Sequence, residues 1–197
     1  MFKISVMTKY VSTSFILLLI VTGCSNCDGD ENNLLSDEEK GLIPFSVDTS
    51  INFANDASET VIGNYSQKES EITNLDSGND GDCSATNVER EFTTLELSGL
   101  EVGFNIVVRK GRNNELFFLI SQSDDNNERF AVDDCDGIVD DLDNFLQDIS
   151  AKGFEFTDVY VFNSCTENSI VQRVLYSSTN GVEFIEFSDG SYLKLDV

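Results

Sequence analysis

The chain has 197 residues, with 12 Lys or Arg against 36 Asp or Glu and a formal net charge of −24 at pH 7. So large an acidic excess repels nucleic acid, whose binding relies on Lys and Arg displacing counterions, and repels anionic lipid headgroups as well. Histidine and tryptophan are both absent, which removes Ser-His-Asp and Cys-His nucleophile activation, zinc sites with a His ligand, and the indole platform most often used to stack sugars.

Lys3 and Lys9 precede the apolar run Phe15 to Val21, and the small residues Thr22 and Gly23 lead into Cys24. A basic start, a short apolar stretch and small residues before a cleavage point describe a secretory signal peptide over residues 1–23. The run is too short for a permanent membrane-spanning helix. Val21-Thr22-Gly23-Cys24 resembles the lipobox of bacterial lipoproteins, and Asp28-Gly29-Asp30-Glu31 resembles the acidic export signal of Bacteroidota surface lipoproteins. The resemblance implies that Cys24 is the lipidation site: its thiol carries diacylglycerol, the peptide is cut before it, and the new amino terminus is acylated. It also implies an outer-membrane location exposed at the cell surface, with the periplasmic face as the alternative. The partner of the anchor is then the membrane itself, since two or more acyl chains hold stably where one does not.

Residues 24–42 read as an acidic, flexible tether, because Asp and Glu repel one another there and little apolar surface is available to offset ordering. Within it, Ser36 and Glu39 have the spacing of a capping box over one turn of helix. Residues 43–197 read as a single β-rich domain. Phe45, Val47, Thr49, Ile51 and Phe53 alternate with polar neighbours, and Thr60–Gln67 is the return strand after an Asn55–Ser58 turn. Further strands are expected at Glu91–Leu97, Gly103–Arg109 and Glu115–Ser121, the last two joined by a hairpin loop at Lys110–Asn114. The spacing of Ile138, Val139, Leu142, Phe145, Leu146 and Ile149 predicts one amphipathic helix over about 137–151. Strands at Phe154–Phe162, Ser169–Tyr176, Val182–Phe187 and Tyr192–Val197 follow, with turns at Thr179–Gly181 and Ser188–Ser191. Such tight connections join antiparallel neighbours, so the expected fold is mainly β: an antiparallel meander forming a sandwich or open barrel with the helix packed against it. The strand Asp158–Val161 followed by the terminal meander is similar to that of small β-rich lipoproteins of the same bacterial group.

Cys27 lies in the tether, which leaves Cys83, Cys135 and Cys165 for one disulfide outside the cytoplasm. Cys83 with Cys165 is the favoured pair and Cys135 the alternative partner. Two acidic segments are calcium candidates. Asp76, Asp80 and Asp82 lie in a Gly-rich loop that departs from an EF-hand at its third and twelfth positions. Asp134, Asp136, Asp140 and Asp143 follow a spacing that resembles a thrombospondin type 3 repeat, although carboxylates also gather at helix N-termini because the dipole favours them there. No other cofactor is indicated. The expected function is a non-enzymatic binding or structural domain held at the membrane. The alternatives are a carrier or chaperone for an apolar ligand, with strand Phe residues lining a hollow half-barrel, and a glycan hydrolase built on two carboxylates. A protein, a glycan or an apolar molecule are all open as the partner.

Overall fold

The computed structural model describes residues 31–75, 86–123 and 128–196. The signal segment, Cys24, Cys27, and the loop carrying Asp76, Asp80, Asp82 and Cys83 lie outside these residues. Ten antiparallel strands close into a barrel. In ring order they are β2 (Thr49–Asn55), β3 (Thr60–Tyr65), β5 (Thr86–Leu97), β6 (Gly103–Lys110), β7 (Leu116–Gln122), β8 (Arg129–Ala131), β11 (Phe154–Ser164), β12 (Val171–Ser177), β13 (Gly181–Phe187) and β14 (Tyr192–Leu195). The expected meander is present, and it is closed rather than open. β14 pairs with β2 through Leu193↔Asn55, Lys194↔Ala54 and Leu195↔Phe53, so neither strand is left with a free edge. Among the described residues, four further strands lie outside the ring: β1 (Glu31–Asn33) and β4 (Glu69–Leu75) beside β5, β9 (Ile138–Val139) beside β7, and β10 (Leu146–Ala151) beside β11.

Strand alternation sends one set of side chains inwards, and that set is large and apolar. Phe53, Phe104, Ile106, Val108, Phe118, Ile120, Phe130 and Phe162 are each 0% exposed. Phe118 stands edge-on to Tyr160, Phe162 and Tyr176, with ring centroids 5.3, 4.8 and 5.5 Å apart. The interior is therefore filled by side chains, with aromatic rings in the edge-to-face arrangement their quadrupoles favour. An apolar interior beneath an outer face bearing Ser50, Asn52, Asn64, Arg90 and Glu96 reverses the pattern of a membrane-spanning barrel, which is apolar outside.

One end of the barrel, the lower end, is plugged by the N-terminal segment. Helix α1 (Asp37–Lys40) carries the expected capping box: Ser36 Oγ accepts from the Glu39 N–H, and the Glu39 carboxylate accepts from the Ser36 N–H. On either side of this single turn, Leu35, Leu42 and Ile43 enter the barrel core. The Tyr176 hydroxyl donates to the Leu42 carbonyl at 2.7 Å, and Glu89 receives the Leu35 N–H at 3.0 Å and Lys40 Nζ at 2.8 Å. Residues 31–42 thus belong to the folded body, which corrects the expected tether. Three apolar side chains and a pair of buried carboxylate contacts outweigh the acidic composition of the segment.

The expected helix at 137–151 is absent. Gly137 has φ +76, and a Cβ there would meet the Leu119 side chain at 2.0 Å, so the segment opens in a left-handed conformation pressed against β7. β9 follows, then a 3-10 helix at Leu142–Phe145, then β10. The helical spacing arose because the apolar residues serve two cores. Leu146 packs against the core cluster of the barrel and Ile149 against a second cluster on the outer surface. In a strand, residues three apart face opposite sides. That outer cluster forms where the β10–β11 hairpin bends over β13 and β14. Phe156 meets Phe184 at 5.4 Å, and Phe154 meets Tyr192 at 5.8 Å. The bend is a bulge in β11: Gln147↔Val159 is followed by Ile149↔Phe156, and Asp158 within the extra stretch has φ +53.

Cys135 and Cys165 form a disulfide with Cα atoms 5.6 Å apart. This is the alternative partner for Cys165 and replaces the favoured Cys83–Cys165 pair. Between β8 and β9, which both run antiparallel to β7, the chain makes a short excursion that brings Cys135 to Cys165, just past the end of β11.

Candidate functional site

Up-and-down connectivity divides the surface features between two ends. The lower end carries the plug with the β6–β7 and β12–β13 turns. The upper end carries the β2–β3, β5–β6, β11–β12 and β13–β14 connections. Each end has an open cleft.

The lower cleft, about 550 Å³, lies between α1, the β6–β7 turn and the segment after β9. Glu38, Glu39, Glu115, Asp140, Asp141 and Asp143 line it, with Lys110 as the cation among them. Several of these carboxylates are already engaged. Glu39 binds Lys110 at 2.5 Å besides closing the capping box. Glu115 accepts from the Asn113 backbone at 3.0 Å and its side-chain amide at 2.7 Å. Asp141 caps the 3-10 helix through the Asp143 N–H at 3.2 Å. Burial pushes the Glu39 carboxyl up, but hydrogen bonds from Lys110 and Ser36 and the lysine charge outweigh that and hold it below the ordinary range. Hydrogen bonds from Asn113 hold Glu115 low in the same way. Both acids are kept ionised, the opposite of what a protonated general acid requires. Burial, aided by the charges of Asp143 and Glu38, raises the phenol of Tyr160 to about 12.

Of the calcium candidates within the described residues, Asp140 and Asp143 reach this cleft, whereas Asp136 is turned to the Ile138 N–H at 2.9 Å. Among the described residues no three His, Cys, Asp or Glu side chains meet in a group that could hold a metal ion. In this segment Asp136 and Asp141 each satisfy a backbone N–H two residues on, as aspartates do in turns.

The upper cleft, about 390 Å³, has an apolar floor and sides formed by Val61, Val102, Phe187, Tyr192 and Leu193. Leu100 and Ile170 also line it and are 41% and 60% exposed. Asp56, Glu101 and Asp189 are the acids of the lining, beside Asn55, Ser188 and Ser191. Asp189 is held low by the Ser191 side chain and N–H, which donate at 2.6 and 2.9 Å. No contiguous stretch of sequence marks this site, because its rim is drawn from four separate connections. Its one local signal is a large apolar residue, Leu100 or Ile170, standing in a turn where polar residues are usual.

No family model, curated protein or solved structure matches this chain. The functional reading therefore rests on the residues themselves. Among the described residues no helix is long and apolar enough to cross a membrane.

Proposed function

We propose that the protein is a lipid-anchored envelope lipoprotein, held through acyl chains on Cys24, whose solid β-barrel is a non-enzymatic binding or structural module acting through its outer surface. The observation that carries the reading is where the chain enters the body. Glu31 begins β1 only seven residues beyond Cys24, a span of at most about 25 Å when fully extended. An anchor on Cys24 keeps the plugged lower end towards the bilayer and turns the upper end away from it. The acidic run after Cys24 supports display on the outer face of the outer membrane.

The filled interior counts against an apolar carrier, since the aromatic residues that would line a cavity instead pack on one another. Metabolic labelling with a palmitate analogue tests the anchor: label is expected on the wild type and lost in Cys24→Ala, and equal labelling of the two rejects it. Protease treatment of intact cells tests display. Digestion before lysis is expected, and protection until lysis places the domain on the periplasmic side.

A further inference from the structure

We propose that the upper cleft docks an extended segment of another protein in which large apolar side chains alternate with Lys or Arg. Leu100 and Ile170 stand exposed beside a floor that includes Val102, Phe187 and the buried Leu193. Apolar side chains presented together at an open cleft gain by being covered. The carboxylates in the lining identify the partner's charge. Asp56, Glu101 and Asp189 form no ion pair among the described residues, while Lys152, whose ammonium lies near Gly190 in the same β13–β14 turn, is already bound to Glu186 at 3.2 Å. A basic segment supplies the missing counter-charges at the rim while its apolar side chains enter the floor. A second copy of this chain, also carrying −24, is repelled from the same place.

The proposal deepens the reading of an outward-acting module by naming what its exposed end binds, yet docking needs no lipid. The test is fluorescence anisotropy with the full chain in detergent and a labelled hexapeptide alternating lysine with leucine or phenylalanine. Two control peptides replace either every lysine by glutamate or every apolar residue by serine. Binding is expected for the first peptide alone. Ile170→Ser and Glu101→Lys, both at exposed positions and checked for an unchanged urea midpoint, are each expected to weaken it at least tenfold. Asp140→Asn in the lower cleft is expected to leave it unchanged. Absence of binding, equal binding by either control peptide, or equal affinity in the upper-cleft variants overturns the proposal, the last by assigning the effect to net charge alone. Cys24→Ala is expected to bind as the wild type does, so loss of the anchor and loss of docking are separate outcomes.

Discussion

Single side chains lock the plug and the barrel turns together. The Tyr65 hydroxyl accepts the Val182 N–H at 2.8 Å in a fully buried site, at the point where the β12–β13 ladder shifts register. Tyr65→Phe leaves that N–H without an acceptor, and the expected loss is about 1–3 kcal/mol, read as a lower urea midpoint with an unchanged slope. Acid acts on the plug through Glu89. Burial pushes this carboxyl up, but hydrogen bonds from Lys40 and the Leu35 N–H, together with the lysine charge, leave it below the ordinary carboxylate range. A carboxyl depressed in the native state contributes stability that is complete above its unfolded value, and that contribution is lost as pH falls through the native value. Stability is therefore expected to decline below about pH 4.3, with a shallower decline in Glu89→Gln, measured by urea unfolding across the acid range. The Ser36–Glu39 cap was legible in the sequence because it is a local pattern. Glu89 was not, since Lys40 and Leu35 are distant in sequence and only the folded body brings them to its carboxylate.

Elements whose two faces meet different environments were hardest to read. Where one face is core and the other water, as in β6, period-two alternation located the strand to within a residue. The β10–β11 hairpin, with apolar side chains committed to two clusters, produced helical spacing without a helix. Its bend gives a test at Asp158, where a left-handed backbone favours glycine and penalises a β-branched residue. Asp158→Gly is expected to stay within about 0.5 kcal/mol of wild type, and Asp158→Val to lose about 1–3 kcal/mol, both by urea titration. β4 went unread because its seven residues are almost entirely exposed, and it joins the sheet through the β5 ladder with no apolar face of its own.

For the molecule as a whole, turn chemistry and strand spacing were enough to recognise an antiparallel meander, but closure depends on one long-range pairing that no local pattern announces. A packed interior makes a further prediction. Phe118 is fully buried among three aromatic rings, so Phe118→Ala is expected to cost about 3–5 kcal/mol and to open a cavity. A fluorescent fatty acid is expected to show no saturable binding to the wild type, and saturable binding would return the apolar carrier to favour. Neither cleft was visible beforehand, because each is assembled from segments that meet only in the folded ring.

The seam between β14 and β2 also bears on when the ring can be completed. Until residues 192–195 are available, β2 and β13 both present raw edges, and no truncated intermediate can complete the ring. The closed shape is therefore reached only once β14 has joined β2 to β13.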